Sequence, residues 1–123
     1  MEHLQPKELM EFIVRTADER KGRDIVAMEV TDQTTLADYI IVLTGTSTTH
    51  IRALSEEIEK KLKDTHGLYP HHTEGVTSNW ILLDYLSVVV NVFLHDAREL
   101  YALERLWGDA REVDLKGLVQ EED

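Results

Sequence analysis

Apolar residues at helical spacing open the chain: Leu9, Phe12, Ile13, Thr16 and Ala17 follow Pro6 and predict a helix over residues 7–21, ending near Gly22. Ile25, Val26, Met28 and Val30 then predict a half-buried strand over 24–30, and the polar run 31–35 a turn. Residues 39–43 are almost continuously apolar, rich in β-branched and aromatic side chains, too short for a lone helix, and stop at Gly45. They predict a buried central strand. Thr46 to Thr49 supply hydroxyls for the first turn of a helix that starts near Thr48 and buries Ile51, Leu54, Ile58 and Leu62. Glu56/Lys60, Glu57/Lys61 and Glu59/Lys63 stand four apart on its wet side, and Gly67 closes it.

In 68–74, Pro70 argues against a central strand and leaves a short edge strand. Residues 80–85 and 88–94 carry the strongest strand pattern and predict a hairpin around Leu86-Ser87; neither turn residue is Gly or Asn, so the loop can include Asp84 and Tyr85. Asp96 with Glu99 reads as a capping box for a third helix, with Ala97, Leu100, Leu103 and Trp107 on one face and Gly108 as its stop. Beyond it, Val113, Leu115, Leu118 and Val119 are thinly spaced among charges, so 109–123 is expected to be an acidic, loosely held tail. The order α-β-β-α-β-β-β-α describes one α/β (α+β) domain over 1–108 with a mixed sheet, and also permits a minimal nucleotidyltransferase-like fold.

With 123 residues there is chain for one modest core. Cysteine is absent, which excludes disulfides, a thiol nucleophile and Cys-based zinc sites. A formal net charge of −11 opposes general binding to DNA or another phosphate backbone and suits a basic protein partner, although it also serves solubility. No apolar run of about 18 residues is present to span a membrane, and the start Met1-Glu2-His3-Leu4-Gln5 lacks a signal-peptide pattern; a cytoplasmic location is expected.

Candidate chemistry is sparse. The Gly45-Thr46-Ser47 turn can present backbone N–H groups to a phosphate, yet Gly-x-Gly-x-x-Gly and Walker patterns are both missing. Two-metal nucleotidyl transfer needs paired carboxylates on a strand, and no Asp-x-Asp occurs; Glu57/Glu59, Glu112/Asp114 and Glu121/Asp123 fall on the second helix or in the tail, leaving Asp84 alone. Ser47 lies outside a nucleophile elbow, and His50 reads as the neighbour of a capping serine. His71 and His72 point to opposite strand faces and cannot readily share a metal. No catalytic residue, cofactor or metal is therefore expected. The competing reading, a nucleotide-binding enzyme built on Gly45-Thr46-Ser47, predicts saturable magnesium-nucleotide binding that is lost on changing Ser47.

Three stretches together resemble the Iojap family, whose bacterial members are ribosomal silencing factors. They are Asp38-Tyr39 through Thr44-Gly45-Thr46-Ser47 to His50; Glu74-Gly75 before Trp80-Ile81-Leu82-Leu83-Asp84-Tyr85; and Arg98 to Trp107. The resemblance runs from about Leu9 to Trp107. It implies a non-catalytic protein of nucleotidyltransferase-like fold, a homodimer when free. Such a protein would dock on the large ribosomal subunit through the ribosomal protein numbered fourteen, obstruct joining of the small subunit, and lower translation when nutrients are short. A related role in large-subunit assembly would use the same surface. The family's Trp-x-x-x-Asp-Tyr pattern puts the contact surface at Trp80, Leu82, Asp84 and Tyr85, with Glu74 nearby. Leu86-Ser87 and Asn91 stand where relatives often carry Gly-Asp and a histidine.

Overall fold

The computed structural model describes residues 4–75 and 78–120. Helix α1 (Pro6–Glu19) begins at the proline, and the Gln5 backbone N–H donates to Glu8 Oε1 at 3.1 Å. It ends before the expected residue 21, because Lys21 turns left-handed (φ 67°) and Gly22 N–H returns to Ala17 O. A Cβ at Gly22 would stand 2.9 Å from Leu43 Cδ1, so a glycine lets the chain pass close to the central strand.

Strands β1 (Arg23–Glu29) and β2 (Tyr39–Gly45) are followed by helix α2 (Thr48–His66), β3 (His72–Glu74), β4 (Trp80–Asp84) and β5 (Val88–Leu94). Helices α3 (His95–Tyr101) and α4 (Leu103–Leu106) and strand β6 (Arg111–Glu112) complete the described fold. The sheet order is β3-β4-β5-β2-β1-β6, with β2 and β5 parallel and the other neighbours antiparallel. The expected mixed sheet and its α-β-β-α-β-β-β-α order are both present.

Alternation assigns the two faces. Ile41 and Leu43 of β2, Val88, Val90 and Val92 of β5, and Ile81 and Leu83 of β4 pack with α1 and α2. Ile40, Val42 and Phe93 point the other way, joining Met28, Ala97 and the half-buried Trp80, Leu103 and Trp107. Because β2 is packed on both faces, its sequence reads as a continuous apolar run.

Helix α2 follows expectation: Ser47 caps it, Ile51, Leu54, Ile58 and Leu62 are buried, and Gly67 (φ 65°) ends it with Leu68 N–H on Leu62 O. Its ion pairs differ. Lys60 meets Asp64 at 3.3 Å, Lys61 reaches Glu19 at 3.4 Å and Arg20 approaches Glu57 at 3.9 Å, so two of the three link α1 with α2. Exposed pairs contribute at most about 1 kcal/mol, whereas each buried Leu or Ile contributes about 1.5–3 kcal/mol. Helix placement therefore follows the stripe, and the charges take whatever partners it leaves within reach.

The third helix departs most. Strand β5 runs straight into α3, so Leu94 rather than Asp96 precedes the helix and no side chain caps it; Glu99 pairs instead with His95 Nε2 at 3.1 Å. Ala102 then adopts a left-handed conformation (φ 47°, ψ 48°) that separates α3 from α4. That conformation costs roughly 1–2 kcal/mol for a residue with a Cβ. It is offset where Leu103 and Trp107 turn onto the second face and where Arg98 Nε donates to Glu104 Oε1 at 2.8 Å across the corner. Leu100, expected on the buried face, is 77% exposed.

The segment expected to be loosely held is instead packed as far as residue 120. β6 pairs with Met28 and Glu29, Val113 N–H donates to Ala27 O, and Val113, Leu115, Leu118 and Val119 pack against the α1/α2 side of the core. Gln120 N–H donates to Asp18 Oδ2 at 3.0 Å, and 121–123 lie outside the described residues.

Candidate functional site

Pairing register builds the site. In antiparallel partners, directly opposed residues share a face. Trp80 opposes Phe93, Leu82 opposes Asn91 and Asp84 opposes Val89, while across β4 Glu74 opposes Leu82 and His72 opposes Asp84. The structure thus brings Trp80, Leu82, Asp84 and Glu74 together on the second face of the sheet, towards its β3 edge. Trp80, Leu82 and Asp84 are half-buried and Glu74 is exposed.

Trp80 is held from three sides. Its ring stacks on Phe93 (centroids 5.0 Å apart) and against Tyr101 (4.6 Å), and its Nε1–H donates to Asn91 Oδ1 at 3.0 Å. Asn91 is 2% exposed and donates in turn to Ile41 O at 3.3 Å. Asn91 therefore fixes the tryptophan. Asp84 Oδ1 accepts from Leu86 N–H at 2.7 Å, and Ser87 N–H returns to Tyr85 O across Leu86 (φ 71°). The hairpin thus reverses over the two residues Leu86-Ser87, closed by Tyr85 N–H on Val88 O at 2.9 Å, with a γ-type turn at Leu86 braced by a carboxylate.

Tyr85 does not join this surface. One position beyond Asp84, it packs with the α1/α2 core at 8% exposure, and its hydroxyl has no hydrogen-bond partner among the described residues. Burial, with a lesser contribution from the Glu59 charge, pushes its phenol well above the ordinary value. Glu59 is itself raised, first by burial and then by Glu56. At β3, His72 Nε2 lies 2.9 Å from Glu74 Oε1.

The Gly45-Thr46-Ser47 turn serves the fold. Ser47 Oγ accepts from His50 N–H at 3.0 Å, and His50 Nδ1 accepts from Thr46 N–H at 2.9 Å. With Nδ1 an acceptor, the Nε2–H donates to Arg20 O at 2.9 Å, pinning the end of α1 to the start of α2. A Cβ on Gly45 would stand 2.6 Å from Ile51 Cγ2, so close packing of α2 accounts for this glycine. Among the described residues, no group of three or more His, Asp or Glu is arranged to hold a metal ion, and no helix is long and apolar enough to cross a membrane.

Sequence reasoning missed Tyr101 and put Leu100 on the buried face of the helix. Both lie on α3 beside Trp80, at 52% and 77% exposure, and together they form an apolar rim. Their signal was an apolar pair at adjacent positions of a helical pattern, where only one of two neighbours can face the sheet.

Comparison with known proteins gives the family and its fold. The family model described as ribosomal silencing factor during starvation matches residues 3–123. The chain is 34% identical over 114 residues to the ribosomal silencing factor RsfS of Halalkalibacterium halodurans, covering 92% of this chain and 97% of that one. It is 36% identical over 100 residues to RsfS of Haemophilus influenzae, covering 80% and 97% respectively. A mouse protein named for mitochondrial assembly of the ribosomal large subunit is 28% identical over 109 residues, covering 86% of this chain and 48% of that one. A crystal structure from Chromobacterium violaceum superposes with a TM-score of 0.82 at 30% identity, covering 98% of this chain and 92% of that one. With the family model spanning nearly the whole sequence and the same fold in its relatives, the chain belongs to the ribosomal silencing factor family.

Proposed function

We propose that this protein is a cytoplasmic, non-catalytic regulator that docks on the large ribosomal subunit through the basic ribosomal protein numbered fourteen. By occupying that face it obstructs joining of the small subunit and lowers translation under nutrient limitation. The observation that carries the reading is the in-register surface of Trp80, Leu82, Asp84 and Glu74: an aromatic anchor with fixed orientation, an aliphatic neighbour and two carboxylates, on a chain of net charge −11. Interface energy concentrates on aromatic anchors of this kind, and complementary charge adds orientation and on-rate. Tyr85 supports the surface from the core side. The free protein is proposed to be a homodimer, and no cofactor, metal, DNA or membrane enters the mechanism, because steric exclusion needs none. The internal bonding of the Gly45-Thr46-Ser47 turn weighs against the nucleotide enzyme.

Co-sedimentation with purified large subunits tests the proposal. The native chain is expected to pellet with large subunits and to exclude added small subunits, and Trp80→Ala, if folded, to lose both properties. A native chain that ignores large subunits would overturn it, and nucleotide binding would become the next assay. The name of the mouse relative favours a second reading, action during large-subunit assembly; association with precursor rather than mature particles would select it.

A further inference from the structure

A cavity of about 340 Å3 opens between the start of β4 and α3, lined by Trp80, Asp96, Ala97, Leu100 and Tyr101 together with Ser78 and Asn79. Its walls are of two kinds. Trp80 and Tyr101 offer aromatic surface and Leu100 an exposed aliphatic side chain, while Asp96 offers a carboxylate. Neighbouring basic side chains are engaged elsewhere: Arg98 with Glu104 and Thr44, and His95 with Glu99. Among the described residues no Lys, Arg or His nitrogen lies within 4.0 Å of the Asp96 carboxylate.

We propose that this cavity receives one arginine or lysine side chain of the docked protein partner, its stem along Leu100 and Ala97, its cation against the Trp80 and Tyr101 rings and paired with Asp96. Aromatic faces beside a carboxylate select a cation with an apolar stem, because the ring quadrupole and the full charge attract the same head group. Such a site rejects a nucleic-acid phosphate, which Asp96 would repel. The inference rests on the proposed docking and extends its surface from the sheet onto α3, to a residue the sequence suggested only as a helix cap.

Binding to purified large subunits, followed against salt concentration, tests it with Asp96→Asn, Tyr101→Leu, Trp80→Ala and the control Glu56→Gln, which lies on α2 behind the opposite face. Among the described residues the Asp96 side chain makes no hydrogen bond or ion pair, so the Asn variant is expected to unfold at the native temperature. Asp96→Asn should bind about tenfold more weakly with a shallower salt dependence, Tyr101→Leu a few-fold more weakly, and Glu56→Gln like the native chain. If Asp96→Asn binds as native while Trp80→Ala fails, docking stands and the cation cavity is wrong. Tighter binding by Asp96→Asn would place a phosphate there and also overturn it. If Trp80→Ala and Asp96→Asn both bind as native, the docking surface itself falls.

Discussion

Replacing Tyr85 with phenylalanine separates a core role from a contact role. The ring is buried among apolar residues of the α1/α2 side, and the hydroxyl has no hydrogen-bond partner among the described residues. A buried hydroxyl without a partner costs about 1–3 kcal/mol by mutational measures. Phenylalanine keeps the ring and removes that cost, and after relaxation of the native site we expect a gain of about 1 kcal/mol. For a domain of this size that corresponds to roughly 3–5 °C in melting temperature. The alkaline limb gives a second signature. Burial raises the Tyr85 phenol above its ordinary value of 10.0, so the folded state holds a proton that the unfolded state releases. The stability from keeping the phenol neutral is complete below pH 10 and is lost as pH rises above that value. Tyr85→Phe should flatten this loss without abolishing it, because Tyr39 is also raised, by burial and then by Glu29, Asp38 and Glu11. Urea unfolding at pH 7 and between pH 9 and 11 measures both effects, and large-subunit binding at pH 7 should be unchanged. A variant less stable than native would mean that the hydroxyl is satisfied, and one that docked more weakly would mean that it reaches the partner; either refutes the burial argument.

Other substitutions probe the supports of the site. Asn91→Ala removes the acceptor of Trp80 Nε1–H and the donor to Ile41 O; a loss of about 2–4 kcal/mol is expected in urea unfolding, with a shift in tryptophan emission. His50→Ala removes the bridge from Thr46 N–H to Arg20 O and should cost about 1–2 kcal/mol by thermal unfolding. Two glycines of similar φ should differ sharply by the same measurement. A Cβ at Gly75 would fall 1.9 Å from Trp80 O, whereas one at Gly67 meets nothing within 4 Å, so Gly67→Ala should cost only the strain of about 1 kcal/mol and Gly75→Ala considerably more. Asp84→Asn keeps an acceptor for Leu86 N–H but loses the charge, so it should fold as native and dock more weakly, whereas Asp84→Ala should lose stability as well.

The parts of this fold legible in sequence were those that local pattern determines. β2 announced itself because burial on both faces leaves residues 40–43 apolar without interruption, and α2 because a 3.6-residue stripe, a capping serine and a closing glycine all agreed. What stayed hidden was decided by neighbours. Nothing in Arg111-Glu112 signals a strand; it is one because β1 offers an unpaired edge beside it, and the apolar residues that follow are then drawn onto the core. Ala102 is the worst residue in which to look for a helix break, since alanine is the best helix former. The break is imposed by the geometry that puts Leu103 and Trp107 against the sheet and joins Arg98 to Glu104.

The candidate surface divides along the same line. Strand parity alone puts Trp80, Leu82 and Asp84 on one face and Tyr85 on the other, provided the strand continues through residue 84, and it does. Parity cannot say which side chains on that face are free to meet a partner. That depends on how much of the face α3 covers, hence on where α3 starts and where Ala102 ends it. A helix starting two residues later, with Asp96 as its cap, would have tied up that carboxylate on the backbone. Starting at His95, it leaves the Asp96 carboxylate without a partner among the described residues, lays Tyr101 against Trp80 and leaves Leu100 in solvent. Aromatic anchor, aliphatic rim and carboxylate thus come together through a two-residue difference in a helix boundary, the feature that local sequence pattern specifies least.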